Sequence, residues 1–317
     1  MKEISICIPT FKRRRFLEQA LFPMIEEIAK HKLEDDFEIV IFNDNGHDET
    51  DTYVRTLVKK YPFISYVMQK KRLGLRKAIE YLPGLACGKY IWFFSDDDVP
   101  TAGSLQYVSK LLKRENPGIV FGNVDDFDGK KVTSPNMLRM DADVEISTRK
   151  DFFRFLSTKF GSITYFTSYI SNFIIRQDLY EQYSEMNSKY DSEFNMTPLI
   201  TPFLYTKMDC PIIITKRPIV LRRTDNESWI DPDPVAHTVR AYKISGFHFG
   251  NIQRLNLWDM PISLHLYFIA HALERTVISF IIQIPFGLQL VRLYWEFEKK
   301  IYRLVFPRRE GAETSSK

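Results

Sequence analysis

Three consecutive aspartates, Asp96, Asp97 and Asp98, are the strongest candidates for chemistry in this sequence. They follow the apolar run YIWFF, which has the length and composition of a buried strand. Adjacent carboxylates repel one another, so such a cluster is usually held by a divalent cation. Hard oxygen ligands suit Mg²⁺ or Mn²⁺, and Mg²⁺ typically takes one or two carboxylates together with substrate phosphates. The alternative is a solvated acidic turn that caps the next helix.

Two further polar groups follow neighbouring predicted strands. Asp44, after the strand EIVIF, would accept hydrogen bonds from a ribose or a base edge, or else form an ordinary Asx turn or helix N-cap. The segment Lys70–Lys77 carries five cations between the third strand and its helix. These cations would compensate a diphosphate, although a charge run is more often a solvated face. Together with the aspartates, the two groups describe a nucleotide-diphosphate site at one rim of a sheet.

The elements that position these groups alternate between strand and helix over the first 130 residues. Strands with two apolar faces, separated by helices, indicate a parallel sheet covered on both sides, whose ligands bind at the carboxyl ends of the strands. The predicted strands are Ile4–Ile8, Glu38–Phe42, Ile64–Met68, Tyr90–Phe94 and Gly118–Phe121. The predicted helices are Phe16–Lys30, with one apolar stripe, Asp51–Tyr61, Leu75–Leu85 and Leu105–Lys113. Between about residues 132 and 223 the pattern is less regular and predicts helices at Arg149–Thr158 and Thr197–Tyr205, a strand at Ser168–Ile175 and two short strands within Pro211–Leu221.

Composition and missing motifs exclude several classes of protein. The 317 residues are 44% hydrophobic with a net charge of +4, which is typical of a folded protein and too weakly basic to indicate nucleic acid as a partner. Cys7, Cys87 and Cys210 are too far apart for a zinc site or a disulfide framework, so we expect reduced thiols in a cytosolic protein. The first strand leads into PTFKRRR, without the GxGxxG of dinucleotide-binding folds, and the sequence has no GxxxxGK[ST] P-loop.

Three segments of the sequence resemble a known family. ISICIPTF, EIVIFNDNGHDET and GLRKAIEYLPGLACGKYIWFFSDDDV are similar to the nucleotide-diphospho-sugar glycosyltransferases of family 2, with Ala78, Ala86, Gly88 and Tyr90 at the family's spacing. The resemblance covers about residues 3–125 and is greatest to the bacterial O-antigen and capsule branch, which includes abequosyltransferase-like enzymes. It implies an α/β protein of GT-A fold, with a mostly parallel, Rossmann-like sheet flanked by helices.

The resemblance also implies roles for the residues that match. The expected nucleotide-binding residues are Pro9, Thr10, Phe11, Asp44, Arg72, Arg76 and Asp96. Asp97 and Asp98 are the expected ligands of Mn²⁺ or Mg²⁺. Two positions depart from the family pattern: Ser95 replaces the first acidic residue of the commoner DxDD form, and Glu80 stands where the family frequently has Asn.

The catalytic base is the least defined part of the pattern. Inverting members of the family often carry it in a Glu-Asp dipeptide, which is absent here, and Asp191 and Glu193 are the nearest candidates by position. An exposed acidic loop explains these two residues equally well. Arg222 and Arg223 would reach the leaving diphosphate or the acceptor, and Trp229 would stack on a sugar, unless the three have structural roles at the surface.

The chain is expected to divide near residue 235. Residues 1–234 would form the GT-A domain, with a nucleotide-binding half at about 1–125 and an acceptor half at about 126–234. Residues 235–317 predict an amphipathic helical region with a disordered tail. One helical stripe between Leu290 and Val305 is apolar and the opposite face is basic, which favours peripheral binding to an anionic membrane surface on its cytoplasmic side. Packing on the chain itself or on another subunit, and hence an oligomer, is the alternative.

The sequence therefore predicts a metal-dependent, inverting glycosyltransferase. It would move a sugar from a nucleotide-diphosphate donor to a hydroxyl of a glycan or polyprenyl-linked acceptor in cell-surface polysaccharide biosynthesis. A sugar-phosphate nucleotidyltransferase is one alternative, but it would call for a glycine-rich turn where this chain has IPTFKRRR. A non-catalytic nucleotide-sugar-binding protein of the same fold is the other.

Overall fold

The computed structural model describes residues 2–159, 165–166, 169–187, 210–226, 258, 260–281, 289–290 and 293. The chain divides into two compact units. The first comprises Met1–Trp229 and Asn251–Tyr267, and the second comprises Ile230–Gly250 and Phe268–Lys317. The sheet and the predicted rim residues belong to the first unit. The predicted boundary at 235 and the division into nucleotide and acceptor halves stay predictions.

Strands and helices alternate through the first half of the chain, as the sequence predicts. The described strands are β1 (Ile4–Thr10), β2 (Phe37–Asn43), β3 (Ile64–Met68), β4 (Tyr90–Phe93), β5 (Val99–Pro100), β6 (Ile119–Phe127), β7 (Val132–Ser134), β8 (Val144–Ile146), β9 (Phe173–Arg176) and β10 (Ile212–Arg223). The described helices are α1 (Arg14–His31), α2 (Glu49–Lys60), α3 (Leu75–Tyr81), α4 (Ser104–Glu115), α5 (Arg149–Ser157), α6 (Gln177–Asn187) and α7 (Ile262–Ile281). A 3₁₀ turn at Leu82–Leu85 follows α3.

The strands form one sheet in the order β3-β2-β1-β4-β9-β6-β10-β5, with β7 added to β6 and β8 added to β10. The four strands β3, β2, β1 and β4 run parallel, β9 lies antiparallel between β4 and β6, and β10 runs parallel to β6. Because β1, β2 and β4 are parallel, the loops that follow them meet at one edge of the sheet. The predicted α/β fold, a mostly parallel sheet flanked by helices, is confirmed.

The core explains why these segments form these elements. All seven residues of β1 are buried, as expected for a strand between two layers of helices. In α1 the buried apolar side chains recur at helical spacing, which confirms the predicted stripe. They include Leu17, Leu21, Met24, Ile25 and Ile28. Burial of this stripe fixes where the amino end of α1 lies, and that end is close to the carboxyl end of β1.

The second half of the sheet departs from the predictions. Pro211–Leu221 predicts two short strands, but the structure has one twelve-residue strand, β10. Its register against β6 shifts on both sides of Pro218, because proline cannot donate a ladder hydrogen bond, and the strand continues past the irregularity. The strand predicted at Ser168–Ile175 begins only at Phe173. The helix predicted at Thr197–Tyr205 lies outside the described residues.

Helix α7 carries large apolar side chains on its exposed side. Ile262, Leu266, Leu273 and Val277 are exposed, whereas Leu264 and Phe268 are buried. Within the residues described, no helix combines the length and the apolar character needed to cross a bilayer. Most of the amphipathic stripe predicted from Leu290 to Val305 lies outside the described residues.

Gly88 allows the loop before β4 to pack closely against β1. Its N–H donates to Ser5 Oγ at 2.8 Å. A Cβ at this position would lie 2.6 Å from both the backbone N and the Oγ of Ser5, and 2.8 Å from the backbone carbon of Ile4. No side chain fits there unless β1 moves. This contact gives a physical reason for glycine at a position that the resemblance singled out.

We therefore expect Gly88→Ala to destabilise the protein. Overpacking a site walled by backbone costs about 1–3 kcal/mol, which would lower the melting temperature by several degrees. Gly84→Ala is the matched control, because nothing lies within 4 Å of its added Cβ. Thermal unfolding of both variants decides the matter. Equal melting temperatures for the two variants would show that β1 accommodates the methyl group.

Candidate functional site

The three aspartates of the loop after β4 have different surroundings. Asp96 and Asp98 are each only 2% exposed, while the Asp97 side chain is 14% exposed. Asp96 accepts a hydrogen bond from Thr10 Oγ1 at 2.7 Å and lies 2.9 Å from Arg13 Nη1. The first aspartate is thus bound to the loop that follows β1.

Asp98 fastens the acidic loop to distant parts of the chain. Its Oδ2 accepts hydrogen bonds from the hydroxyls of Tyr169 and Ser171, both at 2.5 Å, and its Oδ1 accepts one from the backbone N–H of Arg223 at 3.0 Å. The Ser171 hydroxyl also accepts a hydrogen bond from Ser95 N at 2.9 Å. A buried carboxylate with three donors has a structural role in this conformation.

Asp97 is the member of the triplet nearest to solvent. Its Oδ2 accepts hydrogen bonds from Arg13 Nη2 at 2.6 Å and from Asn226 Nδ2 at 2.5 Å, and its Oδ1 accepts one from Ser95 Oγ. Arg13 therefore bridges Asp96 and Asp97. Ser95, which departs from the commoner DxDD form, orients Asp97 instead of adding a fourth carboxylate.

Burial of the triplet opposes its negative charge. Burial raises the pKa of Asp96 to about 7 although Arg13 opposes the rise, and the charge of Asp97 adds to it. Burial and the charge of Asp97 raise the pKa of Asp98 to about 7, against the hydroxyl donors Ser171 and Tyr169. Further positive charge at this loop would favour the ionised carboxylates.

Asp44 joins the end of β2 to the loop before α3. Its two carboxylate oxygens accept hydrogen bonds from the backbone N–H groups of Leu73 at 2.6 Å and Gly74 at 2.8 Å. Gly74 adopts a φ of +85°, which favours glycine. Asp48, not Asp44, caps α2. Asp44 therefore fixes one wall of the rim, and it lines a cavity there.

That cavity has a volume of about 410 Å³ and lies at the carboxyl ends of β1, β2 and β4. The guanidinium carbon of Arg72 lies 4.1 Å from the Phe11 ring centroid, so the two side chains stack at one side. The structure brings six of the seven predicted nucleotide-binding residues to this cavity, namely Pro9, Thr10, Phe11, Asp44, Arg72 and Asp96. Arg76 is not among the lining residues, and its guanidinium faces Glu80 at 3.8 Å.

Arg222 and Arg223, at the end of β10, make contacts inside the protein. Arg222 forms a two-point ion pair with Asp126 at 2.7 and 3.0 Å and stacks on Tyr165. Arg223 Nε donates to the backbone oxygen of Asp97 at 2.9 Å, and its terminal nitrogens bind Asp225 and Gln19. In this conformation Arg223 positions the acidic loop. The other predicted site residues, Asp191, Glu193 and Trp229, lie outside the described residues.

Comparison with known proteins assigns this arrangement to a family. The family model described as "Glycosyl transferase family 2" matches residues 5–184, which include every residue that lines the cavity. The chain belongs to glycosyl transferase family 2. The resemblance seen in the sequence is thereby confirmed over more than half of the chain.

Two bacterial members of family 2 are similar in sequence. The Campylobacter jejuni GalNAc(5)-diNAcBac-PP-undecaprenol beta-1,3-glucosyltransferase is 31% identical over 156 residues, which are 48% of this chain and 48% of the relative. Abequosyltransferase RfbV of Salmonella typhimurium is 24% identical over 230 residues, 71% of this chain and 68% of the relative. The match to the glucosyltransferase thus spans about half of that protein's length.

Solved structures confirm the fold of this family 2 chain. The crystal structure of S. aureus TarS residues 1–349 has a TM-score of 0.60 and 14% identity, covering 86% of this chain and 71% of TarS. The mannosyltransferase PcManGT of Pyrobaculum calidifontis, in complex with GDP-Man and Mn²⁺, has a TM-score of 0.53 and 15% identity, covering 95% and 82%. At these identities the likeness establishes the GT-A fold and nothing beyond it.

The acidic loop offers carboxylate oxygens to a divalent cation. Within the described ranges, no group of three or more His, Cys, Asp or Glu side chains could hold a metal ion. A cation that is also bound by substrate phosphates needs only one or two carboxylates, and the oxygens of Asp97 and Asp98 are of the hard type that Mg²⁺ and Mn²⁺ prefer. The donor set fits in this sense. Asp97 is the more accessible of the two predicted ligands, since Asp98 is buried against three donors.

Several residues of this family 2 site escape prediction from sequence. Arg13, Tyr169, Ser171 and Asn226 all contact the aspartate triplet. For Arg13 a signal exists, since it lies in the basic run KRRR directly after a strand that ends at the rim. Tyr169, Ser171 and Asn226 belong to no motif, and only the folded chain brings them to the loop.

Proposed function

We propose that this chain transfers a sugar from a nucleotide-diphosphate sugar to a hydroxyl of a glycan or lipid-linked acceptor, with inversion at the anomeric carbon. The observation that carries the proposal is the rim cavity, which has stacking and hydrogen-bonding groups at one side and charged groups at the other. Phe11, Arg72 and Asp44 offer surfaces for a base and a ribose. Arg13 and Asp96 offer the charges that a diphosphate and its counter-cation require.

In this proposal Asp97 and Asp98 would hold a divalent cation, which would supply positive charge to the leaving nucleoside diphosphate. The chain's own residues do the rest. Arg223 and Ser95 hold Asp97 in place, and Tyr169 and Ser171 hold Asp98. The acceptor hydroxyl needs a base within hydrogen-bond reach, for which Asp191 and Glu193 remain the candidates. Support for nucleotide-sugar donors comes from the structural neighbours, since TarS was crystallised with UDP-GlcNAc and PcManGT with GDP-Man.

The test is release of nucleoside diphosphate from a panel of UDP- and GDP-sugars, with and without Mn²⁺, in the presence of glycan acceptors. We expect release of UDP or GDP that depends on acceptor and metal, and an inverted anomeric configuration in the product by NMR. Release of pyrophosphate instead would indicate a nucleotidyltransferase. Tight binding of a nucleotide sugar without turnover would indicate a binding protein. Either result would overturn the proposal.

A lipid-linked acceptor at the cytoplasmic face of a membrane extends this proposal. The Campylobacter relative is named as a glucosyltransferase of GalNAc(5)-diNAcBac-PP-undecaprenol. The exposed apolar side chains of α7 and the basic residues from Arg292 onward would suit an anionic bilayer surface. We expect the full chain to float with phosphatidylglycerol vesicles at low salt and not with neutral phosphatidylcholine vesicles. A chain that stays at the bottom of both gradients would indicate that these segments pack within the protein or between subunits instead.

A further inference from the structure

Arg13 contacts two members of the acidic triplet at once. Its Nη1 lies 2.9 Å from Asp96 Oδ1 and its Nη2 lies 2.6 Å from Asp97 Oδ2. The Phe16 ring, 5.2 Å from the guanidinium carbon, supports the side chain from α1. The guanidinium thus occupies Asp97 Oδ2, a carboxylate oxygen of a predicted ligand of the divalent cation. A cation bound to Asp97 would also be repelled by the positive charge of Arg13, because both would contact the same carboxylate.

The same side chain has an unused donor. Arg13 Nε is buried and finds no hydrogen-bond partner in the part of the chain that the structure describes. Arg13 lines the rim cavity and is the N-cap residue of α1, which has no side-chain cap and no acidic residue in its first turn. A buried donor without an acceptor is unfavourable, and uncapped helix amides attract anions. An anionic group that binds the Arg13 side chain would supply the missing acceptor.

We propose that Arg13 and a divalent cation compete for the Asp97 carboxylate, and that the guanidinium released from Asp97 binds the diphosphate of the donor. Without ligands, Arg13 balances the charge of the triplet. When cation and diphosphate bind together, the cation would replace Arg13 at Asp97, and the Arg13 guanidinium would donate hydrogen bonds to the diphosphate instead. Metal and nucleotide therefore assist each other's binding, and the coupling is reciprocal. The proposal has two halves. The first, the competition of Arg13 with the cation for Asp97, concerns only the protein and the metal. The second, the binding of the released guanidinium to the diphosphate (the diphosphate half), rests on the proposed function.

The competition is tested by titrating Mn²⁺ into the full chain without nucleotide, by calorimetry. We expect Arg13→Gln to bind Mn²⁺ at least about tenfold more tightly than the parent, because a charge-assisted hydrogen bond no longer has to be given up. Arg15→Gln is the matched control, since it removes the same charge from an exposed neighbour in the sequence. The control should shift Mn²⁺ affinity by less than about twofold, since exposed charges are screened.

If Arg13 has only a structural role, Arg13→Gln should not raise the Mn²⁺ affinity. If the guanidinium only holds the carboxylates in place, its loss should leave Mn²⁺ affinity unchanged or lower it, and that outcome would overturn the proposal. Failure of both parent and Arg13→Gln to bind Mn²⁺ at millimolar concentration would overturn it as well. Arg13→Lys guards against misfolding of the glutamine variant. A lysine keeps the charge but reaches one carboxylate only, so its Mn²⁺ affinity should lie between those of the parent and Arg13→Gln.

The diphosphate half is tested by titrating UDP and GDP with and without Mn²⁺. In the parent chain we expect nucleotide to raise the Mn²⁺ affinity at least about fivefold. In Arg13→Gln we expect the factor by which nucleotide raises the Mn²⁺ affinity to be less than about half of the parent's factor. Equal coupling in both chains would refute the diphosphate half. If the parent binds neither nucleotide, the proposed function fails and the diphosphate half fails with it. The Mn²⁺ titrations without nucleotide would still decide the competition.

Discussion

Asp97→Asn is expected to lower the rate of sugar transfer by at least about a hundredfold, the loss typical when one preorganised charge at a developing anion is removed. Asp97 is the aspartate nearest to solvent, and three side chains, Arg13, Asn226 and Ser95, orient its carboxylate. Asparagine preserves the size of the side chain but removes the negative charge that a cation needs. The loss should therefore appear in turnover and in Mn²⁺ affinity, while the fold is retained.

The measurement is nucleoside diphosphate release at saturating donor, alongside thermal unfolding of the same samples. Asp35→Asn is the matched control, because Asp35 is exposed just before β2, at the opposite edge of the sheet from the acidic loop. The control should transfer sugar at the parent rate. Parent-like turnover in Asp97→Asn would remove Asp97 from the metal site and leave it a structural role.

Asp44→Ala should weaken the binding of nucleoside diphosphate by about 10–150-fold. Loss of a hydrogen bond to a charged group costs about 1.5–3 kcal/mol, which corresponds to this range. Asp44 is only 4% exposed, and it both lines the cavity and holds the N–H groups of Leu73 and Gly74. The substitution therefore removes a ligand contact and loosens the wall that carries Arg72.

Calorimetric titration of UDP and GDP measures this effect. His47→Ala is the control, because His47 is exposed in the same turn and is not among the residues that line the cavity. Hydrogen exchange at the amides of Leu73 and Gly74 reports the loosened wall independently of the ligand. Unchanged nucleotide affinity in Asp44→Ala, with faster exchange at those two amides, would confine Asp44 to a structural role.

Much of the rim that lines the cavity could be predicted because it depends on local patterns. Apolar runs of strand length fix where β1, β2, β3 and β4 lie, and parallel strands place the loops after them at a common edge. Asp44 and the aspartate triplet are each adjacent to such a run, so their meeting needs no knowledge of distant contacts. The family pattern adds Gly88. The reason for glycine at this position is steric, and it is visible only in the folded chain, where Gly88 lies against Ser5.

The second half of the sheet was harder to predict, since its pairings are less regular. Strand β9 inserts antiparallel between β4 and β6, and β10 continues through the irregularity at Pro218. A short apolar run does not reveal its neighbour or its direction. Proline normally ends a strand, and only the ladder with β6 shows that this one continues.

The sequence by itself determined the fold class, the family and the rim, because strand periodicity and motif spacing are properties of short segments. The tertiary structure alone decided which groups each aspartate contacts. Arg13 and Asp97 are 84 residues apart, Tyr169 and Asp98 are 71 apart, and Asn226 and Asp97 are 129 apart. Three adjacent and identical side chains look equivalent in a sequence. Their burial and their partners differ only when distant segments pack around them. This packing buries Asp98 against Tyr169 and Ser171, joins Asp96 to Thr10, and leaves Asp97 beside Arg13 as the aspartate nearest to solvent.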